Sequence, residues 1–597
     1  MNSLLVAAIC FVGYLIAYHT YGRYLGKKIF KLSPVAKCPS TALRDDVDFV
    51  PAKKEVLFGH HFTSIAGLGP IVGPAIAIIW GWVPALLWIV FGAIFMGAVH
   101  DLGTLVVSMR AKGRSIGDLV SDLINPRVRQ LFLWIIFFEL WIVIAIFALI
   151  IAILFGRYPQ AVIPVWFEIP IAVWLGYMIY KRGKNPVPFG IAAVIIMYLT
   201  VVIGAYLPLN MPELQISGLT LTPIMIWIVI LFIYAFIAST LPVQRLLQPR
   251  DYINGHQLIV ALGLLFIGVI VARPAFVAPA LNASPEGAPL MIPMIFVVIA
   301  CGAISGFHAL VSSGTSSKQC DLETNAKFVG YGGMLMEGGL SVLVIVACGA
   351  GLGLGLAIKG GAVLTGTAAF THHYASWAAA AGLGSKLDAV VVGSANLMAS
   401  YGIPMKIAIT IMGVFLVSFA ATTLDTATRI QRYVIAEMGA SWKAKPMTGR
   451  YVATFIAVIT AMVLAFYSGD GKGALTLWPL FGTVNQLLAA LALLVLTIYL
   501  LRKKLPTWIA FFPFLFMVVM DGWAMLINIK SFSATGKTFL LVMAVIIFVL
   551  MLWMIAEAIG ASRVLERKAG VEPFPTFTTT RTKRAKPSKR TKRSKRR

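Results

Sequence analysis

The chain has 597 residues, of which 59% are hydrophobic and only 12% are charged. No soluble globular fold can bury that much apolar surface, so the composition predicts an all-α polytopic membrane protein. The formal net charge is +27, and residues 581–597 hold 11 Lys and Arg residues and no acid. We interpret this tail as a basic arm near anionic lipid headgroups and favour this over nucleic-acid binding.

Membrane spans of about 20 apolar residues each recur about fifteen times along the chain. The first run, residues 4–17, has no basic residue before it and is predicted to be an uncleaved anchor. A loop rich in small residues covers 357–400, and its segment 386–399 is predicted to lie on the surface as a short helix. The predicted spans are 4–25, 55–80, 84–109, 128–155, 163–180, 187–207, 223–247, 257–271, 291–313, 328–354, 403–428, 451–467, 475–501, 507–527 and 539–559.

The distribution of basic loops predicts the orientation in the membrane. Cytoplasmic loops carry an excess of Lys and Arg. All the basic loops fall on one side if the N-terminus is outside and the C-terminus is cytoplasmic, which places a multi-pass protein in the cell inner membrane. These loops are 27–54, 110–129, 181–184, 429–450 and 502–504.

The second predicted span contains residues that disfavour a helix, in the stretch "FGHHFTSIAGLGPIVGP" (58–74). Proline removes a helix hydrogen bond, and glycine adds backbone freedom. Irregular backbone survives at membrane depth only where it is buried in protein or lines a polar cavity. We therefore predict a break at 67–70, whose free carbonyls can hold a cation and whose free amides can hold an anionic group.

A second interruption is predicted five spans later, where Ser239, Thr240 and Pro242 fall in the span 223–247. Five is an odd number, so the two five-helix units, 55–207 and 223–428, would cross the membrane in opposite senses. Such an inverted repeat is typical of secondary transporters. The alternative is two unrelated proline kinks.

Hydroxyl side chains crowd the inner end of the span 291–313. They predict either a site for a small hard cation such as Na⁺ or simple close packing of helices. The cluster comprises Ser312, Ser313, Thr315, Ser316 and Ser317.

Ionisable side chains within the spans are candidates for carrying a coupling proton, because a charge in lipid is costly. For each of them a structural hydrogen bond is the alternative. His100 and Asp101 are predicted to have a structural or gating role, and Glu337 and Asp425 stay unassigned. The proton-carrier candidates are Glu139, His60, His61 and His308.

Enzymatic classes find little support in the sequence. The stretch "SATGKTF" contains the Gly536, Lys537 and Thr538 that end a phosphate-binding loop, but the position of the loop's first glycine, two residues before the stretch, is Ser531. No HExxH pair exists. Ser312 and His308 form the sole pair that could act as nucleophile and base. The five cysteines form no CxxC motif. We expect no catalytic residue, no metal site and no cofactor other than a coupling H⁺ or Na⁺.

Four stretches resemble the carbon starvation protein A (CstA) family: "FGHHFTSIAGLGPIVGPAIA", "WGWVPALLWIVFGAIFMGAVHD", "STLPVQRLLQPRDYIN" and "SGFHALVSSGTSSKQ". The resemblance implies the LeuT-like fold of the APC superfamily, two inverted repeats of five helices. It implies uptake of peptides under nutrient starvation or proton-coupled uptake of pyruvate, and it does not choose between them.

The resemblance also implies the site residues. The first break, with Ser64, Ala66, Gly67 and Gly69, and the second, with Ser239 and Thr240, would line the substrate site. A cation site would combine the carbonyls of Ala66 or Gly67 with the hydroxyls of Ser312 or Ser313.

Together these patterns predict four regions and one function. The regions are an N-terminal helix with a basic loop (1–54), a LeuT-like ten-helix core (55–428), a four-helix region that supports the core or forms an oligomer contact (429–562), and a basic tail (563–597). The expected function is ion-coupled import of peptides, with a proton favoured over sodium and pyruvate as the alternative substrate. A starvation sensor is less favoured because no signalling domain is evident.

Overall fold

The computed structural model describes residues 1–216, 218–358 and 360–567. In this part of the chain 12 helices are long and apolar enough to cross a membrane, and 13 if the bent pair Lys54–Ala66 and Gly69–Trp80 counts as one span. Nearly all of the predicted basic tail, 568–597, lies outside the described residues.

The helices of the first half surround one broken span. Short helical turns, such as Pro39–Ala42, lie between the numbered elements. In chain order the elements are α1 (Ser3–Ile29), α2 (Lys54–Ala66), α3 (Gly69–Trp80), α4 (Trp82–Arg110), α5 (Ile116–Leu123), α6 (Pro126–Arg157), α7 (Pro159–Lys181), α8 (Pro186–Tyr206), the hairpin β1 (Leu214–Ile216) and β2 (Leu219–Leu221), α9 (Pro223–Thr240) and α10 (Leu247–Ala272).

The second half begins with two short helices that follow each other along the chain. Further on, a pair of two-residue strands precedes the remaining helices. The elements are α11 (Met291–Val298), α12 (Gly306–Gly314), α13 (Glu323–Leu354), β3 (Leu356–Ala357), β4 (Val363–Leu364), α14 (Gly366–His373), α15 (Leu383–Ala399), α16 (Met405–Ser441), α17 (Arg450–Phe466), α18 (Trp478–Arg502), α19 (Trp508–Ala534) and α20 (Thr538–Arg567).

Three spans begin with the same local signal, a polar residue followed by proline. The side chains of Asn125, Asn185 and Thr222 accept hydrogen bonds from backbone amides of the first turns of α6, α8 and α9. Proline is tolerated at the first helical position because its missing N–H has no intrahelical partner there. The sequence therefore sets these three starts locally.

The predicted spans agree with the helices in most places, but the number fifteen stays a prediction. The helix α17 has only 17 residues, and α11 and α12 are shorter still. The helix α16 runs without a break across residue 428, where the predicted ten-helix core ends.

The predicted interruption at Ser239, Thr240 and Pro242 is wrong. The helix α9 ends at Thr240 and α10 begins at Leu247, and each is a candidate span by itself. Pro242 has no N–H and forces the preceding Leu241 to be extended (φ −71°, ψ 151°), which ends the helix. The second interruption lies instead at 299–305, between α11 and α12.

The helix α15, predicted to lie on the surface, is buried. Leu387, Val390 and Ala395 are at most 1% exposed. Its Gly393 lies so close to α13 that a Cβ there would meet Ala347 O at 2.1 Å. Small side chains let the two backbones approach, so the feature that suggested a loop is what allows tight packing.

The C-terminal region is part of the same core. In the most apolar part of α18, 89% of the residues are buried. This helix packs on α4, α6 and α12. The longest contact is between α6 and α16, while α2 packs along α10. The predicted four-helix region is thus not peripheral, because α18 reaches the broken helices.

Candidate functional site

The first break follows from glycine and proline as predicted. The helix α2 ends at Ala66, Gly67 has φ +43°, and α3 begins at Gly69 with Pro70 in its first turn. A Cβ at Gly67 would lie 2.6 Å from Thr423 Oγ1, so both backbone geometry and space require glycine here.

The second break is held by a side chain from α18. Asn485 Oδ1 accepts hydrogen bonds from Ser305 Oγ and from the backbone N–H of Phe307, both at 3.0 Å. On the other side of the break Trp88 Nε1 donates to Ile299 O at 2.9 Å. These bonds satisfy part of the exposed backbone polarity that a broken helix creates.

The two breaks touch each other. A Cβ at Gly69 would lie 2.3 Å from Cys301 Sγ, and one at Gly73 would lie 2.4 Å from Val298 O. The first turns of α3 therefore pack directly on the chain between α11 and α12, which no single stretch of sequence reveals.

A cavity of about 570 Å³ opens at this junction. Exposed residues Ser531 and Lys537 lie at its mouth, on the face away from the basic loops. Near the junction it is lined by Ala66, Gly67, Gly69, Cys301, Thr423 and Asn485.

Several polar groups in the cavity wall lack a partner. Thr423 Oγ1 and Asn485 Nδ2 are buried and have no hydrogen-bond partner within the described residues. Buried polar atoms are nearly always paired, so groups left open around a cavity can bond a water molecule or a ligand there.

The cavity wall is also positively charged. Of the described residues that line it, two are lysines, Lys386 and Lys537, and none is Asp or Glu. Lys386, outside the candidate spans, is 8% exposed, and burial lowers its pKa to about 8. The start of α3 adds the positive end of a helix dipole.

A buried network of ionisable groups lies directly behind Cys301. His308 Nδ1 is 3.1 Å from Asp101 Oδ2, and His308 Nε2 is 3.3 Å from Glu337 Oε2. His100 Nδ1 lies 2.9 Å from the other oxygen of Asp101. None of these four side chains is exposed to solvent. An imidazole between two carboxylates is suited to holding a proton.

Three possible metal ligands also lie close together in this region. The donor atoms of Cys301, His308 and Glu337 lie within 4.8 Å of one another. Donors that share one zinc ion lie roughly 3–4 Å apart, given bond lengths of about 2.0–2.3 Å. Both imidazole nitrogens of His308 already face carboxylates.

The adjacent histidines of α2 contact other elements and do not line the cavity. His60 Nδ1 lies 2.5 Å from Asp251 Oδ2, and its Nε2 lies 3.2 Å from Thr315 Oγ1. His61 Nδ1 lies 2.9 Å from Ser316 Oγ. The two side chains therefore tie α2 to α10 and to the hydroxyl cluster after α12.

Glu139 is fully buried, and neither of its carboxylate oxygens has a hydrogen-bond partner in the described structure. It does not line the cavity. It does lie one turn before Val143, which does, so the two share a face of α6.

The hydroxyl groups predicted for the cation site differ. Ser313 Oγ donates to Ala309 O at 2.7 Å and accepts from the N–H of Ile116. Ser312 Oγ is buried and has no partner among the described atoms. Only Ser312 of this pair is free to bind an ion.

Three predicted substrate residues lie away from the cavity. Ser64 Oγ pairs with Thr426 Oγ1 at 3.1 Å. Ser239 Oγ donates to Asp425 O at 3.4 Å, and Thr240 Oγ1 donates back to Ile237 O. Ser239 and Thr240 lie at the end of α9, which stops before Pro242.

The end of α9 belongs to another buried charge network. Arg250 forms an ion pair with Asp425 and lies 3.5 Å from Glu168 Oε1. Tyr234 OH donates to Asp425 Oδ2 at 2.8 Å. This network bridges α7, α9, α10 and α16 and holds the helices next to the cavity in place.

A network of charges lies on the side of the basic loops. Asp48 accepts bonds from Arg429 (2.7 Å) and Arg432 (2.8 and 2.9 Å) of α16. Burial alone would raise the pKa of Asp48, but the two guanidinium groups hold it well below its usual range. Arg429 also donates to the carbonyls of Ala238 and Leu241 at the end of α9. We call these three side chains, Asp48, Arg429 and Arg432, the inner latch.

The sequence profile described as "Carbon starvation protein CstA" matches residues 2–524. The chain belongs to the CstA family. It is similar to the peptide transporter CstA of Campylobacter jejuni, with 34% identity over 86% of this chain and 78% of that one. The peptide transporter CstA of Escherichia coli is 32% identical over 91% of this chain and 82% of that one. The pyruvate/proton symporter BtsT of Escherichia coli is 31% identical over 88% of this chain and 81% of that one.

A manganese transporter of Eremococcus coleocola aligns with 88% of this chain and 99% of its own, with a TM-score of 0.44 and 13% identity. The family membership, the apolar helices and the named relatives make this chain an integral membrane transporter of the CstA family.

Sequence reasoning found the first break but missed most of the cavity wall. Lys386, Thr423 and Asn485 come from α15, α16 and α18, far along the chain. Asp101 and Glu337 were noticed as buried acids, but their link through His308 is visible only in three dimensions. A lone lysine at the start of an apolar segment was the one local signal for Lys386.

Proposed function

We propose that this protein is an ion-coupled secondary active importer of peptides, active when nutrients are scarce. The observation that carries this proposal is the open cavity at the contact of two broken helices. Broken helices at membrane depth are typical of transporter binding sites. Curated relatives named as peptide transporters support the substrate class.

The coupling ion in this proposal is a proton. The group Asp101, His308 and Glu337 lies directly behind the cavity wall, and its imidazole bridges two carboxylates. Glu139, one turn from the wall, is a second proton carrier. Sodium at Ser312 is the alternative. One relative is named a pyruvate/proton symporter, which supports the proton.

Alternating access would use two inverted units, as in the LeuT-like fold of the APC superfamily, but with breaks that do not lie five spans apart as the predicted five-helix repeat requires. The second broken element, α11 and α12, comes seven spans after the first, so the two run in opposite senses. Each packs on the helix that follows the other, α12 on α4 and α3 on α13. This exchange of contacts favours two inverted units.

Pyruvate is the second candidate substrate. The wall of the cavity has two lysines and, among the described lining residues, no acid. A small anion fits this charge pattern directly.

The inner latch favours a cytoplasmic location for the basic loops, with the N-terminus outside and the protein in the inner membrane.

Uptake into proteoliposomes tests the proposal. Labelled pyruvate and labelled dialanine are each offered under an imposed proton gradient and under an imposed sodium gradient. Accumulation of either solute above its outside concentration under the proton gradient is the expected result. No accumulation of either solute by folded protein would contradict the proposal.

The coupling group has its own test, the substitution His308→Gln. Glutamine keeps hydrogen-bonding capacity but cannot carry the proton. We expect proton-driven accumulation to be lost while exchange of labelled for unlabelled substrate persists. His256→Gln is the matched control, because His256 is partly buried and bonds only the carbonyl of Tyr252. Unchanged accumulation in His308→Gln would assign coupling elsewhere.

A further inference from the structure

Lys386 is an unusual residue for its place in the fold. It is 92% buried in the first turn of α15, and within the described structure no hydrogen bond or ion pair reaches its ammonium group. The ring of Trp478 lies beside it, with its centroid 5.8 Å from Nζ. A buried cation without a counter-charge destabilises a fold, so such a residue needs another reason to be there.

Other groups that can bind an anion line the same cavity as Lys386. The same cavity holds the amide end of α3, the unpartnered Thr423 Oγ1 and the unpartnered Asn485 Nδ2. All of these groups can donate hydrogen bonds. The described residues of the wall include no carboxylate that could neutralise the lysine from within.

We propose that Lys386 is the residue that binds the carboxylate of the transported solute, and that the cavity selects solutes with a net negative charge. The inference rests on the proposed function and, of its two candidate substrates, favours the small carboxylate over an unmodified peptide. A small oxoacid, or a peptide whose amino group is blocked, presents a carboxylate and no cation. A zwitterionic peptide must also bury an ammonium group beside two lysines, with only neutral oxygens and aromatic rings to receive it.

The test compares competitors of pyruvate uptake in proteoliposomes. The competitors are unlabelled pyruvate, its methyl ester, dialanine and N-acetyl-dialanine, all at one pH. The variants are Lys386→Gln and Lys386→Arg, with Lys406→Gln as control, since Lys406 is an exposed lysine outside the cavity. N-acetyl-dialanine is larger than dialanine but carries no ammonium group, so it distinguishes a charge preference from a size limit.

We expect the wild type to be inhibited better by pyruvate and N-acetyl-dialanine than by the ester or by dialanine. Lys386→Gln should raise the KM for pyruvate about tenfold or more, as expected for losing a charge-assisted hydrogen bond. It should also remove the preference over the ester. Lys386→Arg should restore much of the affinity, and Lys406→Gln should resemble the wild type.

Thermal unfolding gives a readout that does not depend on transport. Removing an uncompensated buried cation should leave Tm unchanged or raise it in Lys386→Gln, and pyruvate should stabilise the wild type but not the variant. A clear fall in Tm would make Lys386 structural and overturn the inference.

The failure of this inference differs from the failure of the proposed function. Uptake that persists with an unchanged KM in Lys386→Gln, or dialanine that competes better than its N-acetyl form, overturns the inference alone. Absence of gradient-driven uptake in the wild type overturns the proposed function, while the Tm shifts still report whether Lys386 binds the anion.

Discussion

Gly73 is where the interior of α3 meets the backbone of the second break. A Cβ there would lie 2.4 Å from Val298 O, a backbone atom that cannot rotate away. Gly73→Ala should therefore push the two broken helices apart, at a cost of about 1–3 kcal/mol as for other overpacked sites. We expect a lower Tm and loss of uptake, measured on purified protein and in proteoliposomes.

Gly13→Ala is the matched control for this prediction. A Cβ at Gly13 would meet nothing within 4 Å, and alanine favours a helix more than glycine does. Its Tm should equal or exceed that of the wild type. Full uptake by Gly73→Ala would show that the contact between the breaks is not needed for transport.

At the scale of single residues, local chemistry predicts where the backbone leaves the helix but not which side chains come into contact. The break at Gly67, Gly69 and Pro70 is predicted correctly, because the φ preference of glycine and the missing N–H of proline act within a few residues. Lys386 and Asn485 were missed because their role depends on helices that are distant in sequence. The interruption at Ser239 is predicted wrongly because, in the sequence, a proline that ends a span looks the same as a proline that interrupts one.

The end of one helix, α16, forms the inner latch with the first basic loop. Its two arginines hold Asp48 at 2.7–2.9 Å, and Arg429 also binds the end of α9. Hydrogen bonds to charged groups contribute about 1.5–3 kcal/mol, and 1.4 kcal/mol changes a two-state ratio tenfold. Asp48→Asn should therefore shift the protein toward a state open on the side of the basic loops.

Labelling by a cysteine-directed reagent from each side of sealed vesicles measures this shift. Asp46→Asn is the control, because Asp46 is exposed and pairs only with the nearby Arg44. The control should label like the wild type. If Asp48→Asn shows no new labelling from the side of the basic loops, the latch does not close that side.

At the scale of elements, periodicity and length predicted most helices, and proline marked their starts. The break between α11 and α12 was missed because the stretch "IACGAIS" contains no proline. Tertiary contacts from Trp88 and Asn485 stabilise this break instead. Burial of α15 was missed for a related reason, since small residues favour loops and close helix packing alike.

The central cavity has its mouth on the side away from the basic loops, and Cys301 can report this opening. It is the one cysteine among the described residues that lines the central cavity. The other four, Cys10, Cys38, Cys320 and Cys348, are buried elsewhere. An impermeant thiol reagent added on the side of the cavity mouth should modify Cys301 and block uptake.

Substrate and state should both change this reaction. Pyruvate or a peptide bound at the junction of the breaks should slow modification of Cys301, because Cys301 Sγ lies against Gly69. Cys301→Ser should resist the reagent and serves as the control, with the modified residue identified by mass spectrometry. Reaction from the side of the basic loops in the wild type would contradict the one-sided opening. Alternating access requires the opposite pattern in Asp48→Asn, where reaction from that side should rise as reaction from the mouth falls.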